Sequence, residues 1–275
     1  MYVLENDLVF AEITSKAAEV IHFYEKDNQV ERLWQADPTY WAGRNPILFP
    51  QVGNTSNKSY VTKGKQYSMG NHGLARHAIF EMVEHTQDRL VLTFKDDEKT
   101  YEQYPYHFEL KVIYTLVGKR LNIEYQISNH DEEVMPFGFG LHPAFACPLK
   151  DGEEFSDYKI VFPSIETQTG PASSYLKNQE LVLNYEAFEK LSSLIYENVQ
   201  SPYVDLVGPQ YKMRIGTQGY KFLVIWTPNA PFVCIEPWHS HGDFEENQLP
   251  FEKREGMINL ASNQVYQTAY YFEIL

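Results

Sequence analysis

Basic residues are scarce. The 275-residue chain has 23 Lys and Arg against 37 Asp and Glu, a formal net charge of −14. It therefore offers no basic face of the kind that strips counterions from a nucleic-acid backbone or settles on an anionic membrane surface. Cysteine is scarcer still: Cys147 and Cys234 are the only two. That is too few for a disulfide framework, and they read as free thiols of a reducing cytosol, which predicts a cytoplasmic protein. Long apolar runs are lacking; none approaches the roughly 20 residues of a spanning helix. The opening residues, Met1-Tyr2-Val3-Leu4-Glu5-Asn6-Asp7, carry neither a basic nor an apolar leader segment, so no signal peptide is expected. A phosphate-cradling glycine loop is missing too, and no cofactor is expected. No linker or fixed-period repeat divides the chain, and the run Lys95-Asp96-Asp97-Glu98-Lys99 is short enough for a loop tip, so one domain over residues 1–275 is predicted. The sequence is silent on oligomeric state.

What the chain has in abundance is aromatic side chains, 15% of residues, which suits strands and also sugar-stacking surfaces. The hydrophobic period is that of strands. Phe108, Leu110, Val112, Tyr114 and Leu116 alternate with polar residues, as do Leu121, Ile123, Tyr125 and Ile127 after Gly118-Lys119. With Gly118-Lys119 as a two-residue hairpin loop, Val117 pairs with Arg120 and every apolar residue meets another; a slip of one residue would destroy the match. Further strands are expected over 8–13, 20–24, 89–94, 158–162, 203–207, 211–215, 221–227, 232–237 and 265–274. Only 186–194 and 242–247 look able to form a helical turn or two. Many strands, few helices and frequent turn residues predict an all-β, antiparallel sandwich or barrel.

Three stretches place titratable residues at turns or strand ends. In Gly70-Asn71-His72-Gly73-Leu74-Ala75-Arg76-His77, two glycines flank a histidine near an arginine, either a surface turn or a site loop. In Gly138-Phe139-Gly140-Leu141-His142-Pro143-Ala144-Phe145, His142 is pinned before a proline, which suits a rim histidine as well as a catalytic one. In Phe232-Val233-Cys234-Ile235-Glu236-Pro237-Trp238-His239, a carboxylate interrupts an apolar strand. Such a Glu faces solvent from an edge strand, or it is buried with a task and its pKa rises. Trp238 beside it is a stacking platform or a core aromatic.

Together with Pro46-Ile47-Leu48-Phe49-Pro50-Gln51-Val52-Gly53 and Trp226-Thr227-Pro228, these motifs, ordered across residues 40–240, resemble the aldose 1-epimerase, or galactose mutarotase-like, superfamily, and within it the LacX-like branch. The resemblance implies a single large twisted β-sandwich with a sugar groove on one concave sheet. It implies His142 as general acid and Glu236 as general base, with His72 and Arg76 binding substrate in the same groove and Trp238 beside them. Arg44 lies near the place of another sugar-contacting arginine, offset by about one residue. Relatives often have Gly-Arg after Phe-Pro, where this chain has Gly53-Asn54. Many also carry a sugar-contacting aspartate, for which this chain has Ser192-Ser193 before residues 194–196. The implied partner is a small sugar.

The residue types fit the implied chemistry. Exchanging α and β anomers needs a proton taken from the C1 hydroxyl and one given to the ring oxygen, by an acid and a base flanking the acetal carbon. Each contributes roughly 10²–10⁴-fold, together about 5–11 kcal/mol. Free Glu near 4.3 and free His near 6.5 would confine activity to a bell between those values. Other readings compete. His239-Ser240-His241 with Asp243 and Glu245 on a strand would point two imidazoles to one face as metal ligands. A lectin would need the aromatics and arginine but no acid/base pair. A glycoside hydrolase would need a second carboxylate, and a hexose-6-phosphate epimerase a cationic cluster such as Arg44 with Arg76.

Overall fold

The alternation along residues 108–127 becomes two ten-residue antiparallel strands, Phe108–Val117 and Arg120–Asn129, in a computed structural model that describes residues 1–275. Their register is the expected one: Val117 opposite Arg120, Leu116 opposite Leu121, Tyr114 opposite Ile123, Val112 opposite Tyr125 and Leu110 opposite Ile127. The inward set from Phe108 to Leu116 is buried, because one face of the hairpin lies on the core.

This hairpin is the middle of a ten-stranded antiparallel sheet. On one side it continues through Arg89–Lys95 to the edge strand Glu81–His85. On the other it continues through Val265–Ile274, Lys212–Gly216, Tyr203–Val207 and Lys159–Val161 to Glu180–Val182 and Leu176–Lys177. A six-stranded sheet contains Leu194–Glu197, Phe222–Trp226, Phe232–Trp238, Gly140–Leu141 and Ile47–Leu48 in that order, with Ala144–Ala146 also paired to Phe232–Trp238. A four-stranded sheet covers residues 2–31. One continuous cluster of 60 buried hydrophobic residues draws on all three sheets, so they close around a shared core. The architecture is the expected antiparallel all-β sandwich.

All nine other expected strands are present, shifted by a residue or two at some ends. The helices differ more. The expected turn at 186–194 forms as Tyr185–Leu191, where the Asn184 side chain accepts the Glu186 N–H at 2.8 Å. A second helix, Glu98–Gln103, begins inside the run read as a loop tip and is opened by a reciprocal Asp97–Thr100 capping box. Residues 242–247 are not helical. The Asp243 carboxylate there accepts from the Ser56 N–H, the Asn247 amide and the Arg254 guanidinium, and these contacts hold the chain irregular.

The strand Phe232–Trp238 positions the site. All seven of its residues are buried, although a strand covered on one face only would alternate. Val233 and Ile235 point into the main core; Cys234, Glu236 and Trp238 point to the opposite face. That face is covered by loops from residues 34–41 and 70–76. No helix is long and apolar enough to cross a membrane.

Candidate active site

Glu236 and His142 meet because of strand register. Gly140 pairs with Trp238, and Ala144 pairs with Cys234 on the same strand. Counting inward from both pairs puts His142 opposite Glu236, where the His142-Pro143 step interrupts the pairing. The imidazole Nε2 lies 3.3 Å from a Glu236 carboxylate oxygen, with the side chains 10% and 1% exposed. That contact is not aligned as a hydrogen bond, and both the Glu236 Oε2 and the His142 Nδ1 are buried without a partner. Gly140 keeps the approach close: a Cβ there would come within 2.7 Å of the Trp238 ring, which donates its indole N–H to the Leu141 carbonyl at 3.1 Å.

Aromatic rings hold His142 in place. Trp41 stacks on it at 4.8 Å between centroids and 29°, while Trp226 and His72 approach edge-on at 5.5 and 5.6 Å. Trp41 is fixed in turn by Phe232 beneath it and by the Trp34 indole N–H, which donates to the Trp41 carbonyl at 2.8 Å.

His72 arrives on a different device. Its φ is 65° and that of Gly73 is 74°, two consecutive left-handed residues that reverse the chain. A Cβ at Gly73 would sit 2.4 Å from the Phe49 carbonyl oxygen, which accepts the Leu74 and Ala75 N–H groups. Glycine at 73 is therefore a requirement of packing as well as of φ. The Gly53 N–H donates to the His72 Nδ1 at 3.0 Å, so the ring proton sits on Nε2. Burial, assisted by the Arg76 charge, pushes the His72 pKa down to about 3. This histidine therefore stays neutral, a fixed N–H donor, over all ordinary pH.

The remaining cleft of about 360 Å³ is lined by Trp41, Asn71, His72, Arg76, His142, Ser193, Val224, Trp226, Glu236 and Trp238. Of the residues expected at the site, His72, Arg76, His142, Glu236 and Trp238 come together here. Arg44 does not: its guanidinium bonds the Gln35 carbonyl at 3.1 Å, and its own backbone carbonyl is spent on Ala144. Arg76 is the only cation in the lining, half-buried and with no hydrogen bond or ion pair inside the protein. Ser193 also lines the wall, directly after Ser192, whose positive φ ends the Tyr185–Leu191 helix. Trp41, Asn71 and Ser193 sit on loops, where hydrophobic period gives no signal. Asn71 alone had a cue, as the neighbour of His72.

Electrostatics set Glu236 and His142 apart from ordinary carboxylates and imidazoles. Burial pushes Glu236 well above its usual pKa, opposed by the Trp238 indole. Burial, then the nearby His72 and Arg76, push His142 well below its own. Each group alone resists charge, so the pair is best described as one unit holding a single proton. Glu236 is also the only carboxylate in the lining, one short of the glycosidase requirement. The His239/His241 metal reading fails on geometry. His239 stacks on Tyr220 and meets the Tyr266 hydroxyl at 2.8 Å, whereas His241 packs on Phe244 and Phe222 beside Glu255. Two roomier grooves, of about 640 and 700 Å³, lie elsewhere on the surface, but in neither does a buried histidine meet a buried carboxylate.

The comparisons with known proteins agree with this picture. Residues 1–270 match the family model described as aldose 1-epimerase. The plasmid-borne protein LacX of Lactococcus lactis subsp. lactis is 31% identical over 259 residues, 86% of either chain. A galactose mutarotase related enzyme from Lactobacillus acidophilus superposes with a TM-score of 0.92 at 30% identity, covering 100% of this chain and 97% of that one. A galactose mutarotase-like protein from Lactobacillus casei gives 0.93 at 26% identity, with both chains covered in full. By sequence and overall fold alike, the chain belongs to the aldose 1-epimerase family.

Proposed function

We propose that the protein interconverts the α and β anomers of a neutral aldohexose, with His142 and Glu236 moving the two protons. The observation that carries this reading is the buried 3.3 Å contact between them on the floor of an otherwise uncharged cleft with one free arginine. The two oxygens to be served, the C1 hydroxyl and the ring oxygen, hang on the same carbon. Neighbouring groups therefore reach both, side by side rather than flanking the carbon from two sides. Glu236 takes the hydroxyl proton while His142 protonates the ring oxygen, and the ring opens to the aldehyde. Rotation about C1–C2 presents the other carbonyl face, and the same two groups run the transfers backward to close it.

Shared protonation alters the pH dependence expected from free groups. The form with a proton on Glu236 and the form with it on His142 carry the same proton count, so pH does not choose between them. Sugar binding does: the imidazolium form is favoured by the Trp41 face stacked on the ring and by a C1 hydroxyl donating to the carboxylate. The test is polarimetry on freshly dissolved α-glucose and α-galactose with EDTA present. Acceleration over buffer is expected, and none with any free aldose would overturn the reading in favour of a sugar-binding protein.

Arg76 supplies the discrimination between neutral and phosphorylated sugars. Arg76→Lys is expected to raise KM by about 10-fold or more with little change in kcat, because an ammonium cannot reproduce the guanidinium fork and one charge-assisted hydrogen bond is worth about 1.5–3 kcal/mol. With a lone arginine in the lining and a net charge of −14, free aldoses should outperform their 6-phosphates. A KM loss confined to the 6-phosphate would instead make Arg76 a phosphate ligand.

A further inference from the structure

We infer that the cleft floor is also a binding site for a thiophilic divalent cation, with Zn²⁺ as the probe ion, held by His142, Cys234 and Glu236, and that its occupation shuts off the proton-transfer pair. The last clause rests on the proposed reaction; the site itself does not. Cys234 and Glu236 are two residues apart on one strand and point to the same face, with His142 opposite Glu236. One ligand atom from each lies within 4.8 Å of the other two, and all three residues are buried.

The spacing and the donor set both match zinc. Bonds of about 2.1 Å to nitrogen and oxygen in a tetrahedron put those two ligands about 3.4 Å apart. The His142–Glu236 separation is 3.3 Å. The sulfur, with its ligand-atom spacing within 4.8 Å, would have to move closer by rotation of the short Cys234 side chain. Imidazole, thiolate and carboxylate make a set that selects zinc over magnesium or calcium, and two of the three ligands, His142 and Glu236, line the open cleft. Charge balances as well. Two anionic ligands and a dication sum to zero in a place where any single charge is costly, and the ion supplies the partner that the buried Glu236 Oε2 lacks.

Cobalt substitution tests the site without relying on turnover. Wild-type protein titrated with Co²⁺ should develop a thiolate-to-cobalt charge-transfer band at one equivalent, bleached by Zn²⁺. Zn²⁺ should inhibit anomerisation reversibly, with activity restored by chelator. Cys234→Ala should lose the band and weaken Zn²⁺ binding by more than the roughly 10–100-fold that loss of an outer-sphere partner costs, while Cys147→Ala keeps both. Should the alanine variant fail to fold, Cys234→Ser, close in volume and unable to give a sulfur band, replaces it. No sulfur band in the wild type, or equal Zn²⁺ affinity in the Cys234 variant, overturns the site. A band from a protein that accelerates no aldose would leave the site standing and remove the reaction.

Discussion

Glu236→Gln and His142→Asn are each expected to lower kcat by about 10²–10⁴-fold with a smaller change in KM, since each removes one proton transfer while leaving the cleft shape intact. The double variant should be little worse than the poorer single, because one transfer without its counterpart is of limited use. The pH profile distinguishes this from a merely structural role. Doubly protonated pair gives way to the active single-proton form as pH rises through the lowered value of His142. The active form is lost as pH rises further through the raised value of Glu236. The acid limb should therefore belong to the imidazole and the alkaline limb to the carboxyl, the reverse of free groups, over a broad plateau. Residual activity of Glu236→Gln should lose the alkaline limb, and that of His142→Asn the acid one. Near-normal kcat in folded Glu236→Gln would exclude it as the base. No other carboxylate lines the cleft to replace it, since Asp205 is tied to Arg214 and Lys212, and Asp243 to Arg254.

Arg32→Met is expected to destabilise the protein by about 1–3 kcal/mol, because it leaves the buried Glu25 carboxylate with Lys119 as its remaining cation. Glu25 and Arg32 are ion-paired with both side chains 2% exposed, and Lys119 reaches the second carboxylate oxygen at 2.7 Å. Burial pushes the Glu25 pKa up, but the Lys119 and Arg32 contacts outweigh it and hold the carboxyl below its usual value. A depressed carboxyl stabilises the fold above the unfolded pKa near 4.3 and loses that contribution as pH falls through the folded value. Thermal melts should thus show Arg32→Met well below the wild type at pH 7, by roughly 2–4 °C per kcal/mol, with the gap narrowing on acidification. Replacing both partners together, as Glu25→Leu with Arg32→Met, should recover much of the loss. A single variant that melts with the wild type at pH 7 would mean the pair is not electrostatically buried.

The strands and the two candidate residues Glu236 and His142 stood out in the sequence for different reasons. The 108–129 hairpin was readable because period, turn length and apolar matching all depended on a single register. Glu236 was readable because a carboxylate in an apolar strand has few quiet explanations. That His142 stands opposite it was not, since their pairing spans 94 positions and is set by the flanking pairs Gly140–Trp238 and Ala144–Cys234. Arg44 misled because sequence offset does not report which way a loop side chain turns. The helix at Glu98–Gln103 went unread although its Asp97–Thr100 box was there to find, hidden by the charge run around it. Residues 242–247 looked helical only until the partners of Asp243, some 190 positions earlier at Ser56, were known.

In the proposed reaction, proton transfer and most of the polar sugar contacts fall to different kinds of backbone in this cleft. Glu236 lies within a strand paired on both sides, and His142 between two short segments paired to it. Trp41, Asn71, His72, Arg76 and Ser193 stand on connecting segments. Loops tolerate substitution and insertion far better than a central strand does. On that reading, a lineage inheriting this sheet keeps the proposed reaction, while rewriting a few surface turns exchanges one sugar for another. Divergence in this architecture should accordingly be slow in mechanism and quick in diet.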